Sequence, residues 1–254
     1  GDLILPHNGG PSVKLVEYDP DGENKVIAAM IYESPSNHLT WARILTKVHT
    51  MSDAEKRFAI ERYMGDRTER WQRVGRALED THVRFEIILD IGAWRDLQRH
   101  RMHTQRNQLF TCIHGYGIPP EISNLGHEYK ERYQAAMERA RAVYDRIREN
   151  SEWIAQYAVP MGYLVRFMQH QNLRAFFWES ELRTTSQGHP AYRIVEQAKT
   201  LALEKVFPLL FERLTDPEDP NKPFKYLRVD MGHHDLARRG QEERIADKER
   251  KLGL

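Results

Sequence analysis

The stretch Val83-Arg84-Phe85-Glu86-Ile87-Ile88-Leu89 decides the fold. Apolar and polar residues alternate along it, the period-2 signature of a strand with one buried face. Gly92 follows, and the run from Ala93 to Met102 carries helical spacing, which sets Arg95, Arg99 and His103 on one face at four-residue intervals. Upstream, Val13 to Tyr18 alternates as a second strand and Asp19-Pro20-Asp21-Gly22 ends it as a turn. Helices are predicted over 23–33, 37–48, 52–63 and 66–78, the third opened by the capping box Ser52-Asp53-Ala54-Glu55. Downstream, a loop with Gly115, Gly117, Pro119 and Pro120 leads to a long helix over 124–149, with Leu125, Tyr129, Ala136, Ala140, Val143 and Ile147 in register. Tyr163 to Met168 reads as a strand, and Asn172 as the cap of a helix running to Arg183. Pro190 suits the first turn of a last helix reaching Phe207, with Ile194, Ala198, Leu201, Ala202 and Lys205 as its stripe.

The 254 residues divide into an irregular segment at 1–11, rich in Pro and Gly, one domain over 12–214, and a charged tail at 215–254. Within the domain, the 83–89 strand is expected inside a sheet, with the 124–149 and 190–207 helices packed on it. No run approaches the roughly 18 apolar residues of a membrane span. The 38 basic and 37 acidic side chains leave a net charge of +1, so there is no general field for a polyanion and nucleic acid is not an expected partner. Cys112 is the single cysteine and no leader pattern opens the chain, which points to the cytoplasm. The first residue is Gly1, as in a processed end or a piece of something longer.

Chemistry concentrates at Arg99-His100-Arg101, with Arg95, His103 and Arg106 nearby. Guanidinium groups bind phosphate bidentately and an imidazole adds a donor or a stacking plane, which suits a nucleotide. The same cations also read as solvated groups offsetting a helix macrodipole. A second cluster joins Asn172, Arg174 and Arg183; there too Asn172 also reads as a plain cap and the arginines as exposed. Phe176, Phe177 and Trp178 between them read as core rather than as a stacking platform. His100 and His103 lack a third ligand and are flanked by arginines, and His233-His234 sits in the charged tail, so no metal site is expected. A glycine-rich phosphate loop is missing, and Cys112 has no base beside it.

Arg99-His100-Arg101 after a strand and short helix resembles the Arg-His-Arg signature of the flavin-dependent thymidylate synthases, the ThyX family. The segment from Ala155 to Pro160, Asn172-Leu173-Arg174 and Leu182-Arg183 follow in the family's order, and the likeness spans about residues 12–214. The resemblance implies an α/β (α+β) single domain with a central, mainly antiparallel sheet and packed helices. It implies a homo-oligomer, a tetramer in the family, or pairing with a sister domain, with FAD held between subunits. It further implies methylation of deoxyuridine monophosphate (dUMP) with methylenetetrahydrofolate, NADPH reducing the flavin. By resemblance Arg99, His100 and Arg101 hold FAD, Arg99 also touches the nucleotide, Asn172 and Arg174 lie against the flavin, and Arg183 faces the uracil. The chain departs from the pattern after Arg101. Thr104 is a near match, but Asn107, Leu109 and Thr111 stand where the family has Glu, Ser and Arg, Gln156 replaces an Arg, and Asp96 replaces a Gln. Two expectations follow: an enzyme of this type or one acting on another nucleotide, and a non-catalytic domain that keeps the fold, with or without FAD, and serves as a structural or regulatory partner.

Overall fold

The computed structural model describes residues 3–5, 10–35, 37–214, 223–232 and 250. Its centre is β3 (His82–Asp90), in a five-stranded antiparallel sheet with β1 (Leu3–Leu5), β2 (Ser12–Tyr18), β4 (Thr104–Asn107) and β5 (Leu164–Asn172), in the order β1-β2-β3-β5-β4. Alternation works as the sequence implies: Val83, Phe85, Ile87 and Leu89 turn inward beside Val165 and Phe167 and are buried. Gln169 and Gln171 share that inward face, and both are buried. The chain is thus an α+β domain, with α9 (Pro190–Val206) packed across β1, β2 and β3.

The other helices are α1 (Gly22–Tyr32), α2 (Trp41–Thr50), α3 (Asp53–Met64), α4 (Ile91–Leu97), α5 (Pro120–Asn124), α6 (His127–Arg148), α7 (Glu152–Ala155) and α8 (Leu173–Arg183). The capping box at Ser52 forms with both of its bonds, and Pro190 occupies the first turn of α9. None of the described helices is long and apolar enough to cross a membrane.

Five expectations are corrected. Residues 3–5 of the irregular segment form a strand on β2; the breakers Pro6, Gly9, Gly10 and Pro11 all follow it. No α-helix forms over 66–78, only a 3-10 turn at Arg76–Glu79. Gly65, at φ 60°, ends α3, and the Arg67 side chain then takes the carbonyls of Arg70 and Gln72, so the backbone winds around a buried guanidinium instead of building a helical ladder. The 93–102 helix stops at Leu97, which puts Arg99, His100 and His103 beyond it rather than on one helical face. The 124–149 helix breaks at Gly126, φ 114°, and α6 packs on α5, α7 and the 3-10 turn Gln156–Ala158 rather than on the sheet. Met137 and Tyr144 are its buried residues, while Leu125, Tyr129 and Val143 stay exposed. Last, residues 223–232 of the charged tail enter the core through Phe224, Tyr226, Leu227 and Val229. Arg213 bridges to Phe224, and the Arg228 amide donates to Glu181 of α8. His233 and His234 lie outside the described residues.

Candidate functional site

Two chain reversals build the site. At the first, β3 ends at Asp90, whose carboxylate caps α4 through the Ala93 amide; α4 then stops and the chain turns at Arg99-His100, whose amides donate hydrogen bonds to the Asp96 and Leu97 carbonyls. At the second, β5 runs into α8, where the Asn172 side chain accepts from the Ala175 amide, an N-cap of the expected kind. Eleven residues later α8 delivers Arg183 to the first turn. The Arg183 guanidinium donates from Nε to His100 Nε2 at 2.8 Å and from Nη2 to the Asp96 carbonyl at 2.7 Å.

Arg99, His100, Arg101, Met102, His103, Ala175, Trp178, Leu182 and Arg183 surround a cavity of about 280 Å³. Five of the residues singled out from sequence, Arg99, His100, Arg101, His103 and Arg183, therefore meet at one place. Arg99 lies open at the rim beside Asp96, at 3.4 Å, and Arg101 is exposed. Trp178 is half exposed on the wall, unlike the buried Phe176 and Phe177 with which the sequence groups it. Burial, reinforced by the Arg183 charge, lowers His100 to about 4, so its ring is neutral and free to accept from Arg183.

Asn172 and Arg174 do not reach this cavity. Asn172 is committed as the cap, and Arg174 at the opposite end of α8 is ion-paired with Glu79. Gln156 and Thr111, which replace family arginines, are also occupied locally: the Gln156 side chain accepts from the Phe110 amide and the Thr111 hydroxyl from the Ile113 amide.

Beneath the cavity lies a buried ionic network that sequence reading missed. Lys199 of α9 donates to Gln169 at 2.8 Å, to Glu196 at 2.8 Å and to Glu179 at 3.3 Å, while Gln169 donates to the other oxygen of Glu179 at 3.1 Å. All four side chains are fully buried. Burial alone would raise Glu179, but Lys199, His103 and His100 outweigh it and hold the carboxyl well below its ordinary range. Burial pushes Glu196 up to about 7, with Lys199 pulling the other way. For Lys199 burial acts downward, and the two carboxylates overcome it and keep the ammonium charged. The signal was there: Tyr192, Glu196, Lys199 and Leu203 fall at helical spacing on the buried face of α9, so two opposite charges sit inside an apolar stripe.

Residues 14–209 match the family described as thymidylate synthase complementing protein. Among curated relatives, a UPF0159 protein of Chlamydia pneumoniae is 36% identical over 214 residues, 84% of this chain and 40% of the relative. One from Chlamydia muridarum is 38% identical over 181 residues, 71% of this chain and 34% of the relative. One from Thermoplasma acidophilum is 33% identical over 192 residues, 73% and 38%. The chain thus spans about two fifths of the length of the curated relatives it matches. With the matched stretch covering most of β2, all of β3, β4 and β5 and all the residues of the cavity, the chain belongs to the thymidylate synthase complementing protein family.

Proposed function

We propose that the protein is a nucleotide-binding, FAD-dependent thymidylate synthase-like enzyme, with the cavity at Arg99–Arg101 and Arg183 as its nucleotide site. The observation that carries this reading is the convergence of three guanidinium groups and an accessible indole on one cavity. Guanidiniums at the rim suit phosphate oxygens and the Trp178 face suits a planar base. Arg183, braced by His100 and the Asp96 carbonyl, presents a fixed cation where negative charge develops on an activated pyrimidine.

FAD fits in part. The rim arginines match its pyrophosphate, but pockets that enclose larger ligands run to about 1,000 Å³, and this cavity of about 280 Å³ holds only one portion of a dinucleotide. We therefore place Asn172 and Arg174 against the cofactor from a second unit, either another copy in a homo-oligomer or a sister domain. The relatives, more than twice as long as the matched stretch, leave room for such a domain. FAD when bound supplies the redox chemistry, recharged by NADPH; the residues of the chain bind and orient dUMP and exclude water. A nucleotide substrate of this class and a lone, buried Cys112 suit a cytoplasmic setting.

One observation favours a second reading, a ThyX-like domain without catalysis: Thr111 and Gln156 offer no charge where the family has arginines, and their side chains are spent on local turns. Two lost charge-assisted contacts weaken nucleotide binding by roughly two to four powers of ten. An assay with FAD, NADPH, methylenetetrahydrofolate and dUMP separates the two. Thymidylate formation supports the enzyme; flavin binding without turnover supports the structural domain; neither binding nor turnover refutes the enzyme.

A further inference from the structure

We propose that His103 reads the ligand at the floor of the cavity, its Nε2 accepting a hydrogen bond from a ring N–H flanked by carbonyls. This rests on the nucleotide reading above and names what the site selects: a base carrying an imide-type donor, the chemistry shared by uracil and the flavin ring. The imidazole lines the cavity, yet its side chain is only 2% exposed. Its Nε2 is buried and has no hydrogen-bond partner among the described residues, a costly state for a polar atom unless a ligand completes it.

The surroundings fix which way the ring is used. Nδ1 faces Glu179 Oε2 at 3.7 Å, and that carboxylate is held ionised by Lys199 and by the Gln169 amide. In the neutral ring whose proton lies on Nδ1, toward that carboxylate, the lone pair lies on Nε2. Glu179 of α8 faces the ring from below, with Lys199 and Glu196 of α9 paired behind it, and His100 stacks beside it at 6.3 Å between ring centroids, in front of Arg183. On the open side Arg99 and Arg101 are rim cations placed for phosphate, and Trp178 offers its face to a base. Among the described residues that line the cavity, His103 carries the one buried side-chain polar atom left without a partner. It is the residue after Met102, in the stretch where the chain departs from the family pattern.

Calorimetric titration with two probe pairs tests it: dUMP against N3-methyl-dUMP, and FAD against its N3-methyl analogue. Methylating the imide nitrogen is expected to weaken binding to the native protein about tenfold in one of the pairs, the loss of one hydrogen bond. The pair that responds identifies the ring. In His103→Leu, and in His103→Asn should the first fail to fold, the unmethylated probe binds about as weakly as the methylated one does to the native protein. In His103→Gln, whose amide reaches the Nε2 position, the difference returns. Equal methylation penalties in native and variant proteins overturn the assignment while leaving the nucleotide site standing. No binding of any probe to the native protein overturns the nucleotide reading itself, and this assignment with it.

Discussion

The two ends of α8 carry the same residue type and lead different lives. At the first turn Arg174 is closed onto Glu79 and Asn172 is used up as the cap. At the last turn Arg183 is braced by a neutral imidazole and a carbonyl, two further arginines stand open beside it, and a cavity lies between them. The C-termini of α4 and α8 meet there, so their dipoles favour cations and offset part of the positive field; a phosphate would be held by side chains rather than by helix ends. The difference teaches that an arginine's role is set by what backs it. Under the last turn lies Glu179 with Lys199, Glu196 and Gln169, a rigid polar floor; the first turn has a partly exposed ion pair.

The strongest way to break this contrast is to remove the floor. Lys199→Met leaves Glu179 buried without its ammonium, and loss of one partner of a buried pair costs about 3–5 kcal/mol. Urea unfolding should show a loss of that size; a change below about 1 kcal/mol would mean the network is not structural. Next come the rim arginines. Arg99→Ala and Arg101→Ala should each weaken nucleotide binding about tenfold or more, with little effect on stability, since both are exposed. Arg174→Ala should weaken FAD by a similar factor while sparing dUMP, because it sits outside the cavity; unchanged FAD affinity would return Arg174 to a plain ion pair with Glu79.

A smaller effect attaches to the cap. Asn172→Ala should cost about 1 kcal/mol in unfolding experiments, the usual worth of an N-cap. The last is a pH effect at His100. Its ring is held to about 4 when folded against an ordinary 6.5, so below 6.5 the unfolded chain binds a proton that the folded one refuses. Stability from this group is complete above 6.5 and is lost as pH falls toward 4. His100→Gln should flatten that part of the stability profile; an unaltered slope would contradict the assignment.

Locally encoded features were legible in the sequence. β3 announced itself by alternation, and Asn172, Ser52 and Pro190 marked helix starts, because strand faces and caps depend on neighbours a few residues away. The cavity arginines were legible as a cluster for the same reason, whereas Arg183 reaches His100, 83 residues away, through the pairing of β3 with β5. What failed depends on distant partners. Arg67 shapes its loop by reaching Glu181 and the Tyr226 carbonyl, more than a hundred residues away. Glu196 and Lys199 look like a solvated i,i+3 pair until Glu179 and Gln169 are seen beneath them. The stripe along α6 correctly says amphipathic helix, but periodicity does not say what covers the stripe, and Leu125, Tyr129 and Val143 remain uncovered.

The central claim is that the last turn of α8, and not its first, forms the nucleotide cavity. The most direct measurement titrates dUMP calorimetrically into the native protein, the Arg99→Ala, Arg101→Ala double variant and Arg174→Ala. The account predicts that the double variant loses on the order of a hundredfold in affinity, two charge-assisted contacts, while Arg174→Ala stays within a few-fold of the native protein. Native affinity in the double variant, or a loss confined to Arg174→Ala, would contradict it.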